Sequence, residues 1–201
     1  MPNMIRKTGD ERRAEIIQSS LELAAEVGIA KVSTQAIADR VGIAQGTVFR
    51  HFKTRNDIFR AVLEFVSDNV FKVLEGQIHS NKPADVKLQN FIKRHLSMVS
   101  KMKGVPRLLF SDRLHVEDPE LKKTVQNIIT RLTDNIAALI QDGMDEGVFD
   151  PGVKPREMAR MVVTLVQGSV MRWSMFDFNY KLTGTADEIW NVIWPALRVK
   201  E

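Results

Sequence analysis

One short segment of the sequence carries side chains suited to recognising a surface rich in hydrogen-bonding groups and negative charge. Helical spacing directs Gln45, Thr47, Arg50 and His51 away from the core, with Gly46 between them. Amide, hydroxyl and guanidinium groups hydrogen-bond to base edges and phosphates, and glycine lets the backbone come close. The segment is therefore typical of a recognition helix that enters the major groove of DNA.

The preceding residues predict the support that such a helix requires. A second helix begins at Ser33 or Thr34, and Gly42 after it supplies the backbone freedom of a tight turn. The side chains predicted to anchor the two helices in the core are Ile37, Ala38, Val41, Val48 and Phe52. The whole forms a helix-turn-helix.

At these residues the sequence resembles the TetR/AcrR family of bacterial repressors. The similarity is closest in the string GIAQGTVFRHFK, from Gly42 to Lys53, and in TRNDIF, from Thr54 to Phe59. It covers roughly residues 10–60, and beyond them only the number and order of helices agree. The resemblance implies an all-α protein, with a helix-turn-helix DNA-binding domain over 1–55 and a helical ligand-binding and dimerisation domain over 56–201.

The resemblance also implies two kinds of contact with operator DNA. Gln45, Thr47 and Arg50 match positions that read bases. The other matched positions contact phosphates or bring the backbone close to the DNA, and these are Thr34, Gln35, Gly46, His51, Lys53 and Arg55.

Two residues of the segment depart from the family's pattern. Phe49 stands where the family usually has tyrosine, so its ring would pack on a sugar or a thymine methyl without a hydroxyl for phosphate. Burial of Phe49 in the core is the alternative. Ala44 stands where many relatives carry a serine that caps the recognition helix, and the loss of such a cap costs about 1 kcal/mol.

Helical periodicity dominates the whole chain and predicts nine helices. Capping signals mark four helix starts, which are Thr8 as a capping box with Glu11, Thr54 followed by Asp57, Asp118 before Pro119, and Thr185 as a capping box with Glu188. The predicted helices end near Gly28, Arg40, Phe52, Ile78, Met102, Leu114, Gly147, Phe178 and Val199.

Composition narrows the class of protein by exclusion. The chain of 201 residues contains no cysteine, so it has no disulfides, thiolate zinc site or cysteine nucleophile. No apolar run approaches the ~20 residues of a membrane span, so we expect a cytoplasmic protein. The net charge is +4, and residues 1–60 hold ten Lys and Arg against seven Asp and Glu. This distribution favours nucleic acid as a partner but is also typical of ordinary solvated charge.

The last two predicted helices are apolar enough to pair with a second copy of the chain, as the family's do. Gly168 and Ser169 would permit close approach of helices. Burial in the core of the monomer is the alternative for the apolar positions, which are Met158, Met161, Val162, Leu165, Val166, Val170, Ile189, Trp190, Ile193, Trp194, Ala196 and Leu197. A two-fold dimer would place its recognition helices ~34 Å apart, on a near-palindromic operator.

The resemblance further implies that a small molecule binds in the larger domain and shifts the spacing of the two DNA-binding heads. The apolar character of the expected lining suggests a lipophilic effector, such as a fatty acid or an aromatic compound. The candidate residues are Met98, Met102, Leu109, Phe110, Leu114, His115, Met161, Gln167 and Met171, with core packing as the alternative for the methionines.

An effector-controlled repressor has two alternatives, an enzyme and a regulator without an inducer. The chain has no nucleophile elbow, phosphate loop or metal-ligand cluster, so we predict that it is not an enzyme and uses no cofactor. A DNA-binding regulator without an inducer, acting through partner proteins, is the alternative within the same fold.

Overall fold

A computed structural model describes residues 7–199, and the regular secondary structure of these residues is helical. The described part contains no β-strand, only one isolated bridge between Phe149 and Arg198. Its nine α-helices confirm the predicted all-α fold with an N-terminal helix-turn-helix. They are α1 (Gly9–Val27), α2 (Thr34–Val41), α3 (Gln45–His51), α4 (Arg55–Ile78), α5 (Ala84–Val99), α6 (Gly104–Leu109), α7 (Pro119–Asp145), α8 (Pro155–Met175) and α9 (Thr185–Leu197).

Three short segments that are not α-helical lie within this series, namely the 3-10 turns Ile29–Lys31 and Leu182–Gly184 and the π-helical segment Arg113–Glu117. No described helix is both long and apolar enough to cross a membrane.

Three of the predicted helix starts are made by the expected side chains. Thr8 accepts from the backbone N–H of Glu11 at 3.2 Å and donates its own N–H to the Glu11 carboxylate at 2.7 Å. The same reciprocal pair joins Thr54 and Asp57 at 3.1 and 2.9 Å. Asp118 caps α7 through Oδ1, which accepts from the N–H of Leu121 at 3.0 Å. Each cap satisfies backbone donors that the first helical turn leaves unpaired.

The predicted capping box at the start of α9 is wrong. Thr185 is the first residue of the helix, and its hydroxyl donates to the carbonyl of Leu182 in the preceding 3-10 turn. No side-chain bond caps this helix.

Three helices end earlier than predicted. α5 ends at Val99 rather than near Met102, and α6 ends at Leu109 rather than near Leu114. Beyond α6, the hydroxyl of Ser111 donates to the carbonyl of Leu108 at 2.7 Å, and side-chain bonds of this kind compete with helix continuation. α8 ends at Met175, before two non-glycine residues with positive φ, 49° and 60°, at positions 177 and 178.

The described residues group into two compact units, which we call the head unit (7–66 and 102–122) and the body unit (67–101 and 123–199). The division into domains at 55 and 56 stays a prediction. In the head unit, α1 packs against α2, α3 and α6. The contact with α6 is tight, because a Cβ on Gly104 would lie 2.1 Å from the carbonyl oxygen of Leu21. Glycine is therefore needed where α6 crosses α1.

In the body unit, α5, α8 and α9 pack on one another. The apolar positions predicted on α8 and α9 are only partly buried. The inner positions are buried, namely Val162, Val166, Val170, Ile189, Ile193 and Leu197. The indoles of Trp190 and Trp194 are half-buried and stack with centroids 5.4 Å apart.

Candidate nucleic-acid interface

The helix-turn-helix is built by a cap, a glycine turn and two core anchors. The Ser33 hydroxyl caps α2 by accepting from the N–H of Ala36 at 3.0 Å. Gly42 then turns the chain with φ 73° and ψ 39°, in the left-handed region that favours glycine. On α3, Val48 is fully buried and Phe52 is 2% exposed, so these two side chains attach the recognition helix to the head unit.

The outward face of α3 carries the side chains that the sequence predicts to meet DNA bases. Arg50 is exposed, Thr47 is half-buried, and a Cβ on Gly46 would have open space around it. Gln45 is half-buried, and its Nε2 donates to Oγ1 of Thr34 on α2 at 2.9 Å. The amide of Gln45 is thus held by a neighbouring helix, and its base contact stays a prediction.

Phe49 and Ala44, the two departures from the family's pattern, are both exposed on or beside α3. The ring of Phe49 is 46% exposed, so the alternative that it is buried in the core is wrong. Ala44 is the residue before the first turn of α3 and, as expected, supplies no side-chain cap. An exposed aromatic ring beside Arg50 on a short helix gives this surface an apolar contact as well as polar ones.

Three of the predicted phosphate contacts are also engaged within the head unit, and the first of them is Thr34, whose hydroxyl accepts from Gln45. Gln35 donates to Asp39 at 2.7 Å along α2. Arg55 is half-buried, and its Nη1 donates to the carbonyl of Val32 at 3.0 Å. Lys53 is exposed and His51 half-buried. Their contacts with DNA stay predictions.

An ion cluster fixes α2 against α1 on the same unit. Arg40 of α2 donates to Glu26 of α1 at 3.0 Å, and lies 3.7 Å from Glu22. The hydrogen bond between Arg40 and Glu26 lowers the pKa of Glu26 and raises the pKa of Arg40. The charge of Arg40 is therefore balanced by carboxylates, whereas an arginine that binds phosphate needs an unbalanced positive charge.

One contact to the recognition helix was missed by sequence reasoning. Nη1 of Arg13, on α1, donates to the backbone carbonyl of His51 at 3.2 Å. Its guanidinium carbon also lies 4.2 Å from the ring centroid of Phe52. No local signal could have found this contact, because the two partners lie 38 residues apart in the chain.

The predicted effector contacts are distributed over both units. Met102, Leu109, Phe110, Leu114 and His115 belong to the head unit; Leu114 is buried, while Phe110 and His115 are exposed. The others, Met98, Met161, Gln167 and Met171, belong to the body unit.

Two open surface pockets of the body unit lie near α8 and α9. One, of about 450 Å³, includes Met161 but no other predicted effector contact, and its lining is Asp150, Gly152, Val153, Lys154, Glu157, Met158, Met161 and Ala196. The second, of about 350 Å³, is polar, with Arg172, Lys181 and Glu188 in its lining. The predicted effector site as a set therefore stays a prediction. No group of three potential metal ligands occurs in residues 7–199.

The fold and the exposed face of α3 define a class, the helical DNA-binding proteins with a helix-turn-helix. Residues 16–62 match the model of bacterial regulatory proteins of the tetR family, and residues 66–196 match the model of the YsiA-like protein, C-terminal region. The chain belongs to the TetR family and is a DNA-binding regulator. The resemblance read from the string around α3 is thereby confirmed.

Individual relatives differ in what their names say they do. The nucleoid occlusion factor SlmA of Marinobacter nauticus is 27% identical over 190 residues, which cover 92% of this chain and 95% of the relative. The fatty acid degradation regulator FadR of Bacillus halodurans shares the fold with a TM-score of 0.82 at 19% identity, over 98% of this chain and 100% of the other. FadR of Bacillus subtilis, solved in complex with stearoyl-CoA, has a TM-score of 0.77 at 22% identity, over 90% and 96%.

Proposed function

We propose that this regulator is a cytoplasmic repressor that leaves a near-palindromic operator when a small lipophilic effector binds. The observation that carries the release step is the contact between α6 and the backbone of Leu21 on α1, with no room for a Cβ at Gly104. A shift of α6 moves α1 with it, because closely packed backbones cannot yield separately. The helix-turn-helix rests on α1, so its fit to DNA changes as well. Binding, and not catalysis, is the activity.

The DNA-binding part of the proposal assigns base reading to Gln45, Thr47 and Arg50, with the ring of Phe49 packing on a sugar or a thymine methyl. Exposure of Arg50 and Phe49 on one face of α3 supports this assignment. The remaining contacts position the helix on phosphates through Thr34, Gln35, Gly46, His51, Lys53 and Arg55.

We further propose that the chain forms a homodimer through α8 and α9. Both helices retain exposed apolar side chains after their inner faces are buried, with Met161 54%, Met175 71% and Val192 66% exposed. Met161, Gly168 and Met175 follow one another at spacings of seven residues, so they share a face of α8. An exposed apolar stripe of this kind is typical of a protein interface.

The effector acts by shifting a population of conformations. It binds more tightly to the conformation whose recognition helices do not fit the operator, and operator affinity falls by the same coupling free energy. Residues 102–122 offer the route, because Leu109 ends α6, Phe110 follows it directly and Leu114 lies in the next short segment, Arg113–Glu117. Similarity to FadR of Bacillus subtilis, whose structure contains stearoyl-CoA, supports a compound with a long acyl chain.

A second candidate function is regulation without an inducer, through partner proteins. The relative named as a nucleoid occlusion factor favours it, since that similarity extends over 92% of the chain and is not confined to the DNA-binding part. The effector experiment below separates the two.

Base reading is tested with two substitutions on an operator selected from random duplex DNA by the wild-type protein. We expect Arg50→Ala to reduce the preference for operator over random DNA by about 1–3 kcal/mol, or roughly 5- to 150-fold, if Arg50 binds a guanine bidentately. Lys53→Ala is the matched control, and should weaken binding to all sequences while lowering the salt slope by about one. Equal losses on operator and random DNA in both variants would contradict the assignment.

The effector is tested by calorimetry and by release of the selected operator, with stearoyl-CoA, stearate and free coenzyme A as probes. Binding and release by the acyl compounds, but not by coenzyme A, is the expected result. Leu109→Asp should abolish both effects because it puts a charge on an apolar lining, while Gln126→Asp, exposed on α7, should not. Absence of heat and release for every probe would favour the candidate without an inducer.

A further inference from the structure

The recognition helix cannot hold its own orientation. α3 has seven residues, and its N-cap residue, Ala44, makes no side-chain hydrogen bond. Helices of this length are unstable alone, since nucleation is unfavourable and few backbone bonds follow it. Its direction must therefore come from contacts with α1 and α2.

The two ends of α3 are held by different neighbours. At the amino end, the amide of Gln45 donates to the hydroxyl of Thr34 on α2 at 2.9 Å. At the carboxyl end, Arg13 of α1 donates to the carbonyl of His51 at 3.2 Å, and its guanidinium lies over the ring of Phe52 at 4.2 Å. Between these ends, the side chain of Val48 is fully buried.

The contact of Arg13 suits arginine in particular. The carbonyls of a last helical turn lack partners within the helix, and the negative end of the helix dipole attracts a cation. A planar guanidinium can stack on an aromatic face and donate in its own plane at the same time. A lysine ammonium, a flexible point charge, does not fix both contacts in one geometry.

We infer that Arg13 is a positioning residue for base recognition, which fixes the carboxyl end of the recognition helix to α1 and so sets the direction of Arg50. Arg50 immediately precedes His51, the residue whose carbonyl Arg13 binds. Productive polar contacts tolerate displacements of only about 0.5 Å and 10–20°, so release of this end misdirects the side chain. The inference rests on the proposed reading role of α3.

A competing role for Arg13 is a direct phosphate contact, because the residue is exposed. The two roles predict different measurements. A phosphate contact contributes equally to all DNA sequences and to the salt slope. A positioning contact changes the ratio of operator affinity to random-DNA affinity and leaves the salt slope on random DNA unchanged.

The test compares wild type, Arg13→Lys, Arg13→Met and the control Arg12→Lys on the selected operator and on random DNA over a range of salt. Arg12 is matched because it is adjacent and contacts Glu15 of its own helix at 2.6 Å, not α3. We expect both Arg13 variants to lose at least about fivefold of the operator preference, with Arg13→Lys keeping the wild-type salt slope on random DNA. Arg12→Lys should resemble wild type.

The inference is overturned if Arg13→Lys and Arg13→Met retain the operator preference, whether or not their overall affinity falls. Thermal melting of each variant identifies loss of fold, in which case Arg13→Gln, which keeps a donor without the charge, is measured instead. If α3 does not read bases at all, the result is different, because Arg50→Ala alone would then leave the preference for operator over random DNA intact.

Discussion

His95 is a buried titratable side chain that takes no part in the proposed DNA contacts. It lies on α5 with 9% exposure, and its ring centroid is 5.5 Å from that of Phe91. Its Nδ1 has no hydrogen-bond partner within residues 7–199. Burial lowers the pKa of His95 to about 4, so the folded chain holds it neutral at neutral pH.

The pKa of His95 predicts a loss of stability in mild acid. Below pH 6.5, the ordinary pKa of histidine, His95 binds a proton in the unfolded chain, whereas in the folded chain it binds one only near pH 4 and below. The contribution of His95 to stability is therefore fully present above pH 6.5. It is lost as the pH is lowered from 6.5 to about 4, by up to about 1.4 kcal/mol per pH unit. Urea unfolding of His95→Gln across the window should give a flatter profile than wild type. The exposed His79→Gln should follow wild type; parallel profiles for all three proteins would refute the prediction.

At the scale of single elements, α3 and α6 are short helices that depend on α1. The N-cap residue of α3, Ala44, has the extended backbone of a cap, with φ −67° and ψ 143°, but no side-chain acceptor. α6 lies on α1 through a glycine for which no larger residue fits. Each element therefore offers one substitution that probes its dependence on neighbours.

Ala44→Ser should stabilise the chain by about 1 kcal/mol, because its hydroxyl can accept from an unpaired N–H of the first turn. The measurement is the free energy of unfolding in urea. Ala14→Ser, an exposed position inside α1, is the control and should be neutral or slightly destabilising. An unchanged free energy of unfolding in Ala44→Ser would mean that other groups already accept from the backbone N–H groups of the first turn.

Gly104→Ala should destabilise the chain by at least about 1–3 kcal/mol, since its Cβ would meet the Leu21 carbonyl oxygen at 2.1 Å and force α6 away from α1. Operator affinity should fall with it if α6 controls α1. Gly76→Ala on α4 is the control, because nothing lies near its Cβ, and it should be neutral or stabilising by up to ~1 kcal/mol. Unchanged stability and operator affinity in Gly104→Ala would remove the basis for the release step.

At the scale of the whole molecule, the proposed dimer determines whether two recognition helices can reach one operator. Exposed apolar side chains remain on α8 and α9 in the single chain, among them Met175 and Val192. The proposed two-fold dimer requires a self-complementary interface, and these side chains support its placement on this face.

Val192→Glu should dissociate the proposed dimer, raising its dissociation constant at least tenfold, because a carboxylate from each subunit would be buried in the interface. Sedimentation equilibrium measures the change, and affinity for the full operator should fall while binding to random DNA changes less. Thr130→Glu, on an exposed position of α7, should leave the dimer intact. A dimer that survives Val192→Glu would exclude this face as the interface.

The sequence by itself determined the class of fold and the recognition helix. Capping pairs such as Thr8 with Glu11, the turn at Gly42 and the anchors Val48 and Phe52 act over a few residues, so local rules identify them. For the same reason the family resemblance could be read from a single string. The box predicted at Thr185 failed because its hydroxyl binds a carbonyl in the preceding turn, which spacing alone does not reveal.

Only the tertiary structure decided which polar groups of the head unit serve the fold. Arg13, Arg55 and Gln45 each donate to an atom outside their own helix, 38, 23 and 11 residues away along the chain. It also decided that Phe49 is exposed and that α6 meets α1 at Gly104. Residue type and spacing describe one helix at a time, whereas these contacts depend on how helices cross, which is set by packing of the whole unit.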